Sequence, residues 1–253
     1  MLSFAIILPM KKAFTMIELV FVIVVAAILA VAIMPRMSDD SLRQAADQIL
    51  MHIRYTQHLA MVNDAYDPTE PAMNEGGKYG WKHKWWRFEF TNVNTEPYGK
   101  NWRYNVYQDN TGSGNLNSIN QAASDPQNPS KYLTAGYSSG SYPTNSAKKQ
   151  ALFKQFNLNL NIQNKFGVTN VQGEKDSGCE SRSGGGFRIA FDELGAPYNA
   201  KTADKATEIS YTKISTVCKI KITNDNNENI CILVQPETGY SCIDEDCDGT
   251  CDR

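Results

Sequence analysis

The chain has 253 residues, enough for one or two domains. Its 25 basic and 27 acidic residues leave a formal charge of −2, which argues against nucleic acid or an anionic surface as the main partner. Apolar residues make up 42%, enough for a folded core, and all six cysteines fall between Cys179 and Cys251, which points to disulfides in an oxidising compartment rather than reduced core thiols.

From Phe14 to Met34 the chain is apolar except at Thr15 and Glu18. As a helix this stretch would be roughly 32 Å long, matching a hydrocarbon core of about 30 Å. Lys11 and Lys12 precede it, while Arg36, Asp39 and Asp40 follow. The positive-inside rule then places the N-terminus in the cytoplasm and the bulk of the chain outside. A signal peptide cleaved near Ala30-Val31-Ala32 is one reading, but the run exceeds an ordinary signal core and Glu18 interrupts its start. A plain membrane anchor is another. It leaves Glu18 unexplained, because a carboxylate inside the span costs about 2.5–3.5 kcal/mol near the centre and usually has a partner.

A third reading supplies that partner. The stretch KKAFTMIEL (Lys11–Leu19) resembles the cleavage and methylation motif of type IV prepilins and type II secretion pseudopilins. The resemblance implies a leader of residues 1–13, cut between Ala13 and Phe14, with N-methylation of Phe14 by the prepilin peptidase/methyltransferase. Ala13 stands where that family usually has glycine. Leaders of the family begin near the position of Met10, which predicts initiation there or a longer leader. The implied location is the bacterial inner membrane, single-pass, with a cytoplasmic N-terminus and a periplasmic C-terminal domain. The implied partners are other pilins or pseudopilins, met through the helix, and an inner-membrane assembly platform. In a filament, Glu18 of one subunit would neutralise the new ammonium group of its neighbour. A misregistered subunit would leave both charges buried and unpaired, so Glu18 would set the register.

Pro35 cannot donate to a helix and is expected to bend it, with Ser38–Ser41 offering fresh caps. Leu42, Ala45, Ala46, Ile49, Ile53 and Ala60 then recur at helical spacing, predicting an amphipathic segment over 35–62. His52 and His58 are six apart, the wrong spacing for a shared metal on one helix face, and are read as surface or partly packed side chains.

Residues 63–253 read as a β-rich globular domain. WWRFEF (Trp85–Phe90) alternates, and NWRYNVYQD (Asn101–Asp109) follows as a hairpin partner. Residues 110–149 are rich in Asn, Ser, Gly and Pro and read as a polar surface insertion. FNLNLNI (Phe156–Ile162) alternates strictly and predicts a strand. FRIAF (Phe187–Phe191) is another, and CKIKIT and ICILV flank the turn NDNNEN. FRIAFDELGAP and the later ILVQPETGYSC resemble the H-subunit (FimT-like) minor pseudopilins, where Phe191, Asp192, Gly195, Thr238 and Gly239 match that family's motif residues. The expected fold is therefore α+β and pilin-like: a long N-terminal helix, transmembrane over 14–34 and amphipathic over 35–62, packed on an antiparallel sheet.

No GxSxG, HExxH, Walker A or GxGxxG motif occurs, and three histidines make a triad hard to assemble, so no enzyme is expected. The expected function is a minor pilin or pseudopilin subunit serving protein secretion. The alternative is a DNA-binding minor pilin of a DNA-uptake filament. KYGWKHKWWRF (Lys78–Phe88) interleaves cations with tryptophans as single-strand binding requires, although a half-buried strand with solvated cations on its outer face accounts for it as well. The acidic tail, residues 240–253, holds Asp244, Asp246 and Asp248 followed by Gly249, the opening of a calcium loop whose closing glutamate would lie beyond Arg253. Calcium there is the one cofactor candidate. Cys179, Cys218, Cys231, Cys242, Cys247 and Cys251 are the disulfide candidates, with 15 pairings open.

Overall fold

A computed structural model of the chain describes residues 15–63, 66–71, 80–109, 115–137, 142–174, 178–179, 186–202 and 209–252. The expected cleavage pair, Ala13 and Phe14, and also Lys78, lie outside the described residues. The chain divides into two compact units, residues 1–40 and 41–253.

In the first unit, helix α1 (Met16–Val62) begins after Thr15, whose carbonyl and hydroxyl oxygens accept the Glu18 N–H at 3.1 and 3.3 Å. That is ordinary capping of orphan donors by a threonine. The helix runs unbroken through Pro35 and Ser38–Ser41, so no new helix start forms there. Residues 16–29 are exposed.

Among the described residues no helix is long and apolar enough to cross a membrane. This corrects the expected transmembrane segment over 14–34, and with it the expected single-pass inner-membrane location. The expected single sheet is also corrected: the strands form a five-stranded, a four-stranded and a two-stranded sheet, accompanied by short helices.

In the second unit, the rest of α1 buries Leu42, Ala45, Ala46, Ile49, Ile53 and Ala60. Their spacing of three and four puts them on one stripe, and burying Ile49 and Ile53 contributes about 1.5–3 kcal/mol each. The first sheet contains β1 (Trp86–Thr91), β4 (Arg103–Gln108), β6 (Phe187–Phe191), β7 (Pro197–Thr202) and β8 (Ile209–Lys213), in the order β4-β1-β6-β7-β8. All its pairings are antiparallel. Phe88 and Phe90 point into the core, where Phe88 stacks on Tyr104 with ring centroids 4.8 Å apart. The small sheet is the hairpin of β2 (Asn94–Thr95) and β3 (Gly99–Lys100). The third sheet runs β11 (Ser241–Asp244), β10 (Asn229–Val234), β9 (Cys218–Asn224), β5 (Val168–Gly173). β9 alternates buried and half-buried residues, and Asn224 Oδ1 accepts the Asn226 and Glu228 N–H groups to turn the chain into β10.

Two local expectations change. Residues 115–137 and 142–149, within the stretch read as a surface excursion, instead cover the second face of the five-stranded sheet together with residues 150–156. Leu116, Ala122, Tyr137, Leu152 and Phe156 form a separate apolar cluster there with Tyr107. The Val106 N–H donates to Leu133 O and the Ala123 N–H to Val106 O, both at 2.9 Å, which closes the open edge of β4. FNLNLNI is not a strand. Leu158–Leu160 forms a 3₁₀ turn and Ile162–Phe166 a short helix. Asn157 caps the first through the Asn159 N–H and Asn161 the second through the Asn164 N–H. Asparagine at every second position offered the backbone local partners that outcompeted a ladder.

Candidate functional site

The helix surface at residues 16–29 is apolar around its circumference and carries one charge, Glu18. Met16, Ile17 and Phe21 are each at least 70% exposed. Such a cylinder has no polar face to turn toward water.

The five residues that matched the minor-pseudopilin motif meet at one junction beside α1. Asp192 Oδ1 accepts the N–H groups of Leu194 and Ala196 at 3.0 and 2.8 Å, shaping the turn after β6. Gln57, on α1, donates from Nε2 to Gly195 O at 2.9 Å and to Thr238 O at 2.7 Å. Gly239, at φ +64°, has no room for a side chain: a Cβ would sit 2.4 Å from Gly195 O and 3.2 Å from the Phe191 ring. The junction therefore clamps the β6–β7 and β10–β11 turns onto the helix.

All six cysteines are paired, as Cys179–Cys218, Cys231–Cys247 and Cys242–Cys251. The last two tie the acidic tail to β10 and β11, and an Arg43–Glu245 ion pair ties it to α1. Within the tail, Asp244, Asp246 and Asp252 bring carboxylate oxygens within 4.8 Å of one another. Asp248, expected as the third ligand, instead accepts the Thr250 N–H and hydroxyl at 2.7 and 2.6 Å. Buried Asp244 accepts the Asp248 and Gly249 N–H groups at 3.0 and 2.8 Å. For the Asp246 carboxyl, the Asp248 N–H lowers the pKa, but its bond with Asp244 and the nearby Asp248 and Asp252 carboxylates leave it raised. These hard oxygens suit calcium in kind, yet with one oxygen from each carboxylate they supply at most half of the roughly six to eight that calcium takes.

The face needed for nucleic acid is largely used inside the protein. Lys84 Nζ pairs with both Glu70 oxygens at 2.7 and 2.9 Å. Trp85 is buried, its ring 4.8 Å from that of Tyr198 and 5.1 Å from that of Tyr211. Arg87, expected among solvated cations, is buried with Asp109 at 3.3 Å and donates to the Tyr211 hydroxyl. The sheet's covered second face is the reason.

His52 is buried as well, in a directed chain. Lys165 donates to Gln48 Oε1 at 2.8 Å, Gln48 Nε2 donates to the Tyr104 hydroxyl at 2.7 Å, and that hydroxyl lies 2.7 Å from His52 Nδ1. Tyr104 therefore donates to Nδ1, which keeps the imidazole neutral. Burial lowers the His52 pKa to about 4; Lys165 adds to the fall and Asp125 opposes it. The unfolded chain thus binds more protons between about pH 6.5 and 4. Stability from this residue is complete above that window and falls as pH drops through it, by up to about 3 kcal/mol. We expect denaturant midpoints at pH 7 and 4.5 to differ less in His52→Gln than in the parent. An equal difference in both would show that His52 does not titrate in this range.

Charged residues missed from the sequence, Glu89 and Arg188, form a buried pair at 2.6 Å on the second face of the sheet, beside a polar cavity. Only their opposed register on β1 and β6 could have hinted at it. Compared with protein-family models, with curated proteins and with solved structures, the chain finds no match.

Proposed function

We propose that the chain is a minor subunit of a pilin-like filament serving protein secretion, joined to neighbouring subunits through the first part of α1. The observation that carries this reading is the exposed, all-apolar surface of residues 16–29 with Glu18 as its one charge. Helices of the same kind from neighbouring subunits would enclose that surface. Cleavage before Phe14 would supply an ammonium group for Glu18, making the carboxylate a register mark rather than a defect. The junction of Phe191, Asp192, Gly195, Thr238 and Gly239 supports the minor-pseudopilin reading, since the residues of that resemblance act together on α1.

The test is recovery of the Glu18→Ala chain with the filament. We expect cleavage to be normal, because the cut lies four residues upstream, and the amount recovered with other filament subunits to fall by at least about tenfold. Glu18→Ala recovered at the parent level would remove the basis of the proposal.

A further inference from the structure

A cleft of about 420 Å³ opens between α1 and the segments 125–131 and 156–159. Its volume falls within the range of small-molecule sites. His52 lines it from α1 and is 3% exposed. The Tyr104 hydroxyl occupies His52 Nδ1, so the proton of the neutral ring sits on Nε2. That Nε2–H has no acceptor among the described residues, yet it is not sealed from solvent, and the cleft is an opening that His52 borders. Two lysines, Lys131 and Lys165, line the same cleft. Each donates to a neutral oxygen, Lys165 to Gln48 Oε1 at 2.8 Å and Lys131 to Lys154 O, and neither has a carboxylate partner among the described residues. Burial pushes the Lys165 ammonium below its ordinary pKa with no opposite charge to offset it. A cation that has lost water without gaining a counter-charge is one that an anion stabilises. Asp125 is the one carboxylate in the lining, and both its oxygens are engaged, by the Gln127 N–H at 2.8 Å and by Asn157 Nδ2 at 2.6 Å.

We propose that this cleft binds a small monocarboxylic acid as its anion. Lys165 is near enough to His52 to act on the ring's charge, so one carboxylate can accept from the Nε2–H and from the ammonium together. The ammonium keeps two hydrogens beside its bond to Gln48. With His52 neutral, two lysines and one aspartate leave the lining with a single positive charge, which a single carboxylate balances. A doubly charged anion exceeds that balance and meets Asp125, while a cation meets both lysines. Met51 and Leu158, 37% and 48% exposed, add apolar surface at the cleft for a short hydrocarbon tail. The inference does not depend on filament assembly, since every residue named lies in the second unit of the chain.

The purified full chain should be titrated by calorimetry at pH 7 and low salt with acetate, butyrate and hexanoate. Succinate and inorganic phosphate serve as multiply charged anions, and butylamine as a cation. We expect saturable binding of butyrate or hexanoate in the millimolar range or tighter, and weaker binding of the other probes. Lys165→Gln removes the charge at an exposed position, so Tm should hold while binding weakens about tenfold. In NMR titrations of the parent chain, the His52 imidazole signals should shift and saturate with the same Kd. Failure of every monocarboxylate to saturate, tighter binding of succinate, phosphate or butylamine, or undiminished binding by Lys165→Gln would each overturn the proposal. His52 signals that stay in place at saturation would do so as well, by putting the acid somewhere else on the protein.

Discussion

Asp109→Ala is expected to cost the fold about 3–5 kcal/mol, the loss typical of breaking a buried ion pair from one side. Arg87 and Asp109 have fully buried side chains. The carboxylate accepts from Arg87 through one oxygen and from Gln121 Nε2 through the other, each at 3.3 Å. Gln121 also accepts the Asn117 N–H, so the carboxylate links β1 to the segment that covers the sheet. Removing it leaves a guanidinium in a dry interior with the rings of Tyr107 and Tyr211 near it, 5.8 and 5.6 Å from its centre. Those contacts are worth less than a buried carboxylate. Substituting both partners, Arg87→Met with Asp109→Leu, should recover most of the loss, because an apolar replacement of a buried pair is often neutral. Denaturant unfolding of Arg87→Met, Asp109→Leu and the double closes the cycle, with Asp109→Ala measured beside it. A single-mutant cost below about 1 kcal/mol would mean that the pair is solvated or redundant.

The second large effect concerns the disulfides, which should rank by the length of chain each one closes. Cys179–Cys218 spans 39 residues, Cys231–Cys247 spans 16 and Cys242–Cys251 spans 9. Constraint of the unfolded chain then predicts losses of about 4, 3 and 2.5 kcal/mol when each pair is changed to alanine. The first should cost most for a further reason: Cys179 and Cys218 both lie in the main core, whereas Cys251 is exposed. Chain entropy and burial therefore act in the same direction. Urea unfolding of the three double-alanine variants supplies the ranking. If the tail pair Cys242–Cys251 proved the most costly, the tail would be holding more of the fold than its surface position implies.

Much of the fold was legible because its signals are local. The alternation in WWRFEF placed Phe88 and Phe90 on one side of a strand, and both point into the core. The polar turn NDNNEN between CKIKIT and ICILV set the β9–β10 pairing, where Ile222 faces Ile230 and Ile220 faces Ile232. The apolar stripe from Leu42 to Ala60 marked the helix face that packs. In each case the periodicity of the backbone repeats in the side chains nearby. FNLNLNI shows the limit of such reading. Its period was that of a strand, but asparagine side chains capped two short helical turns instead, and the choice depended on Phe156, Leu160 and Ile162 finding burial that way.

What the pattern could not carry was the neighbourhood of the second sheet face. Alternation put Arg87, Glu89 and Arg188 opposite the core, and opposite the core ordinarily means water. Residues 115–137 and 142–156, distant in sequence and polar in composition, pack over that face, and all three charged residues are buried. The same holds at the acidic tail, where spacing nominated Asp248 but the chain path set by Cys242–Cys251 brings Asp252 beside Asp244 and Asp246. Whether a charge is solvated or buried depends on which distant segment lies over it. That is fixed by long-range packing and cross-links, whose free energy is shared across the whole domain and leaves no periodic trace at the residue concerned.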